Sequence, residues 1–366
     1  MYSLTKVVKG YKPLACTDEF IILSKGACLY LANLDLSNIN FFCRLPANRF
    51  LYNLPRVRLL ERILRLSISG FLILNDEWGL AVRNNEIWRV NLRDGMVSLD
   101  FLVPEGRKIL ALTLVKDVQG FDDAIVFGEY FNNPSMLPVN IWRCSLATPG
   151  CWSIGFTFSA GQINHVHNIV VDIGRSALWI LAGDFDKAAR ICLSSKNFKE
   201  VSVVLGGDQQ CRATWIHRLN DAVFYATDSQ LEANSLCVLD EQDNEITSRR
   251  LYAIEGSSIY AAIGRHEVFF STAVEPGMPT GNMLIDLFQT KIGEGIISRQ
   301  SVIYLLTHDC QIRELFRASK DIWPMCLAQF GTFIFPSGVM PRDRFYAYGC
   351  ALSKFDDSCL IFLKNG

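Results

Sequence analysis

Apolar residues in this chain come in short runs of β-branched, aromatic and aliphatic side chains spread over nearly its whole length. Examples are Phe20–Leu23, Cys28–Leu31, Gly70–Leu74, Glu86–Val90, Ala124–Phe127, Asn140–Cys144, Asn168–Val171, Leu178–Leu181, Ala222–Tyr225, Ser235–Leu239, Glu267–Ser271 and Ser301–Leu306. Polar turns separate them, as at Asn84-Asn85, Asp122-Asp123, Gly206-Gly207-Asp208 and Asn220-Asp221. Many short strands at spacings of about 8–12 residues predict an all-β sandwich or propeller.

An internal repeat favours the propeller. Ile87-Trp88-Arg89 is echoed by Ile141-Trp142-Arg143, Arg190-Ile191-Cys192, Leu236-Cys237-Val238 and Ile285-Asp286-Leu287, with Leu29-Tyr30-Leu31 ahead of them. The intervals are roughly 46 to 58 residues, the length of a four-stranded blade with its loops. Dividing 366 residues by that period predicts a single β-propeller over 1–366, of six or seven four-stranded blades, with seven favoured. Blades packed around an axis bury the faces that a lone sheet would expose, and ring closure leaves few open strand edges.

One segment has a different period. Pro55 to Leu66 is helical in pattern, with Pro55 suited to a first turn. Val57, Leu60 and Leu64 share one face, and Arg58, Arg62 and Arg65 the other. Such a helix packs its apolar stripe on the propeller with its arginines in water, or lies on an anionic membrane as a peripheral contact.

Composition narrows the function classes. Half the residues are hydrophobic and 20% are charged, which excludes a disordered chain. Thirty-six basic residues against 37 acidic ones give a net charge of −1, so no nucleic-acid footprint is expected. No apolar stretch reaches the ~18 residues of a membrane span, and the N-terminus lacks the apolar core of a signal peptide. A cytoplasmic protein is the expectation, at most peripheral to the inner membrane. The 12 cysteines form no CxxC pair and mostly lie in apolar runs, so they read as reduced core residues. No GxSxG, P-loop, HExxH or GxGxxG motif is present.

Candidate chemistry concentrates between Gly128 and Asp228. His165 and His167 are spaced to share a strand face, as are Gln210 and Arg212. Glu129, Asp184 and Asp228 end apolar runs, and Glu275 ends another. Polar groups at such positions in successive blades converge on the axial channel. Two imidazoles at i, i+2 can hold a divalent metal with Gln210, Glu129 or Asp184 as a further ligand, or one can serve as base while the other orients substrate. Arg212 suits a carboxylate, as on a uronic or sialic acid. Tyr130, Trp142, Trp179 and Trp215 could stack on sugar rings, although tryptophans more often simply pack.

The order GEY, IWR, NHVHNIVVD, LWILAGD, GGDQQCRA, FYATDS and STAVEP resembles bacterial BNR/Asp-box-type, sialidase-like propeller proteins encoded among capsule, O-antigen or exopolysaccharide genes. The likeness spans about Asp123 to Pro276, more faintly Asn48 to Arg93. In the Asp-box position, Ser145 and Trp152 stand at the ends, but Ala147 replaces the aspartate. The resemblance implies a glycosyl-hydrolase-like or lyase-like enzyme of surface polysaccharide biosynthesis that takes a glycan or glycan precursor. Its catalytic set would be His165, His167, Glu129 and Asp184, and its substrate contacts Gln210, Arg212, Asp228, Glu275 and Tyr130. A sialidase's arginine triad cannot be assembled here. The rival expectation is a non-catalytic propeller scaffold for other polysaccharide-assembly proteins.

Overall fold

The computed structural model describes residues 2–46, 57–243 and 245–365. Each of the strand runs named above falls on an observed strand, and successive strands pair antiparallel with their chain neighbours. The result is a series of four-stranded units. One first strand is split into Lys108–Ile109 and Thr113–Val115, both pairing with Ala124–Tyr130. The unit from Ser257–Ile263 to Ile312–Ser319 merges with the final one into an eight-stranded sheet, through the pairing of Ala273 and Val274 with Thr332 and Gly331. The architecture is that of a β-propeller.

Burial shows why the apolar runs are continuous rather than alternating. In Ala177–Ala182, Leu178, Ile180 and Ala182 enter a core shared with the preceding sheet, including Val126 and Ile141. Trp179 and Leu181 point the other way, into a core with Ile216 and Tyr225 of the next sheet. A strand covered on both faces needs apolar residues at every position. Gly128 serves the same packing, since a Cβ there would lie 2.3 Å from the Val166 side chain.

The repeat is physical as well as textual. A register shift occurs in the third-to-fourth strand pairing at Leu29/Tyr30, Ile87/Trp88, Ile141/Trp142, Ile191/Cys192, Leu236/Cys237 and Ile303/Tyr304. Such bulges strengthen strand twist at the same point of each sheet. Five of the sequence echoes are these third strands. The sixth is a correction, because Ile285 lies in the helix Met283–Phe288 and the third strand of that unit is Gln300–Leu306.

The N-terminal strand Tyr2–Lys9 pairs with Ser358–Lys364 and completes the last sheet. Leu14 and Cys16 of the first sheet exchange backbone hydrogen bonds with Ser337 near the last, at 2.9 Å each. These contacts join the two ends of the chain around the ring.

The helix expected at 55–66 is Arg58–Leu64; Pro55 lies outside the described residues. Its orientation reverses the sequence reading. Val57, Leu60 and Leu64 are 50%, 43% and 39% exposed, whereas Arg62 is 3% exposed. Arg62 donates from Nε to the Ala328 carbonyl at 2.8 Å and from Nη1 to Asp321 at 2.7 Å. Arg58 pairs with Asp356 at 2.9 Å. The surface under the helix is lined with acceptors, so the arginines turn inward. Arg65, just past the helix, is exposed.

None of the 12 cysteines is in a disulfide, and eight are buried. No helix among the described residues is long and apolar enough to cross a membrane.

Candidate functional site

Hairpin geometry gathers the polar residues. In an antiparallel pair, the start of the first strand and the end of the second lie at the same end of the sheet. His165 precedes and His167 begins the first strand Val166–Asp172, while Asp184 follows its partner Ala177–Ala182. In the next sheet, Arg212 precedes Ala213–Leu219 and Asp228 follows Ala222–Thr227. Glu275 follows Val268–Val274 one unit further on, and Tyr130 ends Ala124–Tyr130. First strands of successive sheets lie side by side. These ends therefore meet near the axis. Gly183 turns the chain toward Asp184 with φ +77°, where a Cβ would strike the Ala188 carbonyl.

The imidazoles do face one another, although a register shift at His167 intervenes in the strand. Their Nε2 atoms are 3.0 Å apart, and each lies 3.2 Å from Asp184 Oδ1. His165 Nδ1 is 3.1 Å from the Phe131 carbonyl, and His167 Nδ1 is 3.1 Å from the Ala213 carbonyl. A carbonyl only accepts, so each Nδ1 must carry the hydrogen. In the neutral rings both Nε2 atoms then present bare lone pairs, to each other and to a carboxylate oxygen. Such a triangle is satisfied by a proton on one Nε2 or by a cation at its centre.

A metal fits it. Ligand atoms ~2.1 Å from a common ion are ~3.0 Å apart at adjacent octahedral corners and ~3.4 Å apart at tetrahedral ones. The observed separations of 3.0 and 3.2 Å fall in that range. The backbone carbonyls behind Nδ1 are the usual outer partners of metal-binding histidines. His165, His167 and Asp184 form the one His/Cys/Asp/Glu group of this kind among the described residues.

Electrostatics agree. Burial pushes His167 below its ordinary value, against the pull of Asp184, and so keeps it a neutral ligand. Burial pushes Asp184 up, but hydrogen bonds from the imidazoles, in the state where an Nε2 carries a proton, together with the Arg212 charge outweigh it and hold the carboxyl well below the usual range. Burial drives Asp228 well above the ordinary carboxylate value and Glu275 above it, with Arg212 opposing both. Tyr130 is pushed up to about 12, by burial first and then by the Asp184 charge. Its ring lies 4.1 Å from that of His165.

Other expected residues stand elsewhere. Glu129 is buried, but its carboxylate is occupied by Arg107, by Asn140 at 3.0 and 3.2 Å and by Trp142 Nε1 at 2.9 Å. That setting is structural and offers no free oxygen for acid catalysis. Gln210 turns away to Glu232, at 3.0 Å. Residues 209–211 form a 3-10 turn, so the alternation that paired Gln210 with Arg212 does not hold there. The neighbouring Gln209 takes the inward place, donating to the Asp184 carbonyl at 2.9 Å and accepting from Ser229 at 3.1 Å. Trp179 and Trp215 are core residues, and Trp142 packs on Phe101 with centroids 5.0 Å apart. Of the aromatics proposed to stack on sugar, Tyr130 alone reaches the cavity.

That cavity holds about 530 Å³ and is lined by His165, Asp184, Tyr130, Asn133, Arg65 and Lys108, among others. Arg65 is expected only as part of a basic helix face, and Lys108 stands outside every motif. Arg65 ends its helix and Lys108 sits in a two-residue strand, and neither position has a periodicity that marks it as facing a cavity.

These features define a β-propeller with a polar, metal-competent pocket at one end of its axis. No family model and no curated protein matches the sequence. The fold is shared with solved structures of very low identity. An oligogalacturonate lyase in complex with manganese aligns over 98% of this chain and 90% of its own, at 12% identity and a TM-score of 0.55. An oligogalacturonate lyase from Vibrio parahaemolyticus aligns over 97% and 90%, at 11% identity and 0.57. The AfRom2 CNH domain aligns over 100% and 99%, at 6% identity and 0.57.

Proposed function

We propose that this chain is a seven-bladed, carbohydrate-active propeller that holds a divalent metal on His165, His167 and Asp184 and acts on an acidic glycan of the uronate class. The observation that carries it is the convergence of three bare lone pairs within 3.2 Å of one another. Arg65 and Lys108 add positive charge at the cavity mouth, which suits an anionic ligand. The bound ion would supply Lewis-acid polarisation of a sugar oxygen. The chain's own part is to fix both imidazole tautomers through Phe131 and Ala213, to place Tyr130 beside the sugar, and to keep water from the buried Arg212 end. Eliminative or hydrolytic cleavage of a surface polysaccharide or its precursor, in the cytoplasm, is the role that follows from the sequence resemblance to propellers of polysaccharide gene clusters.

Titration with Mn²⁺ and Zn²⁺, followed by elemental analysis, tests this reading. The wild-type chain should retain about one ion per chain, and His167→Ala should lose it while unfolding at nearly the same temperature. Incubation with trigalacturonate should then release unsaturated or shortened product from the wild type and not from the variant. A chain that binds neither ion, or a variant as active as the wild type, would sink the proposal.

The scaffold reading draws on a different observation. Leu60, Met283, Leu284, Phe288, Ile322 and Trp323 are exposed apolar side chains on or beside three neighbouring short helices. A scaffold would tolerate His167→Ala and fail on substitution of these residues.

A further inference from the structure

We infer that Arg212, Asp228 and Glu275 form a subsite for a pair of adjacent sugar hydroxyls, and that the acid group of the glycan is read by Arg65 and Lys108 instead. The inference rests on the acidic-glycan reading above and divides its ligand into two parts.

The three residues are 8%, 3% and 4% exposed. The polar contacts of Arg212 are long, from Nη2 to Asp184 at 3.3 Å and to Asp228 at 3.5 Å, and its guanidinium lies over the Phe185 ring, 5.5 Å from the centroid. Its Nε and Nη1, which carry most of the guanidinium's N–H groups, have no partner; nor do Asp228 Oδ1 and Glu275 Oε2. Unmet donors and unmet acceptors thus lie buried side by side, and each is costly to leave so. This buried group adjoins the cavity through Asp184 and Tyr130, whose hydroxyl feels the charges of Arg212, Asp228 and Glu275.

A carboxylate ligand matches only half of this set. It would accept from Arg212, but it would enter a region where one guanidinium already faces three carboxyl groups. It also has no hydrogen for Asp228 Oδ1 or Glu275 Oε2. A sugar hydroxyl both accepts and donates, so two adjacent hydroxyls can take the guanidinium N–H groups and give hydrogens to the two carboxyl oxygens. A hydroxyl can equally accept from a protonated carboxyl, so the subsite works in either state. The sequence-level assignment of Arg212 as a carboxylate clamp therefore passes to the mouth. Arg65 and Lys108 are exposed there, and neither is paired with a carboxylate among the described residues. They lie close enough that Arg65 adds to burial in lowering the Lys108 pKa.

Calorimetric titration of the full chain with trigalacturonate, its methyl ester and the uncharged galactose trisaccharide tests the division. Asp228→Asn and Glu275→Gln should each weaken acid and ester alike, by about tenfold or more. Arg65→Ala combined with Lys108→Ala should weaken the acid by about tenfold and leave the ester unchanged. An Arg212→Lys loss confined to the acid form would overturn the inference. Should the buried variants unfold, 2-deoxy and 3-deoxy probes on the wild-type chain give the same readout; full affinity for both overturns it. Uncharged trisaccharide bound as well as the acid, and lost in Asp228→Asn, removes the acidic-glycan reading and keeps the diol subsite. No binding of any saccharide removes both.

Discussion

Asp172 shows how much one buried carboxylate does in this ring. It accepts from Arg218 Nε and Nη2 at 2.8 and 2.9 Å and from Trp179 Nε1 at 3.0 Å, and so ties one sheet to the next. Burial pushes the Asp172 carboxyl up, but the Arg218 hydrogen bonds and charge, with Trp179 and Arg175, leave it below its ordinary value. A carboxylate depressed in the folded state stabilises the fold above its unfolded pKa, and that stabilisation is lost as pH falls through the folded value. Asp172→Ala should therefore cost ~2 kcal/mol at neutral pH, because it strands the buried Trp179 indole N–H and removes the partner of the partly buried Arg218. In urea melts the gap between variant and wild type should be widest above about pH 4 and should narrow below it. A gap that stays constant into acid would show that Asp172 acts by packing alone. At this scale strand alternation was a good guide where the backbone stayed extended. It brought the two imidazoles together, and it misassigned Gln210 for Gln209 where a 3-10 turn broke the parity.

Among the elements, the helix Arg58–Leu64 carries the clearest lesson. Helical periodicity put Arg58 and Arg62 on one face and Leu60 and Leu64 on the other, but not Arg65, which lies past the helix. It carries no information about which face the rest of the molecule covers. Burial of the arginine face follows from Asp321, Asp356 and the Ala328 carbonyl, all contributed from far along the chain. Arg62→Ala should destabilise the protein by ~3 kcal/mol, since it leaves the buried Ala328 carbonyl unpaired and strips Asp321 of one of its two cationic partners, Lys320 being the other. Leu60→Glu, on the exposed face, should stay within ~0.5 kcal/mol. Chemical denaturation of the two variants side by side is the check, and equal effects would reverse the orientation seen here.

For the whole molecule, closure is the decisive feature. The strand Tyr2–Lys9 covers what would otherwise be an open edge along Ser358–Lys364. Tyr2 also sets its ring edge-on to Phe269 and Phe345, with centroids 5.2 Å away in both cases. Removing the first nine residues should expose a flat strand edge and produce concentration-dependent association, visible by size-exclusion chromatography. A truncated chain that stays monomeric and melts as the full chain does would show that the ring does not depend on this strand.

By itself the sequence determined what local physics can determine. Short apolar runs, turn residues at positive φ such as Asn84 and Asn220, and a recurring bulged third strand together specify repeated four-stranded sheets. Those signals depend on neighbours a few residues away. Tertiary structure alone decided which polar strand ends meet at the axis, that Glu129 is bound up by Arg107 and Trp142, and that Arg65 and Lys108 face the cavity. Each of these depends on residues brought together by ring closure from separate blades or connecting loops, and no period along the chain encodes that distance.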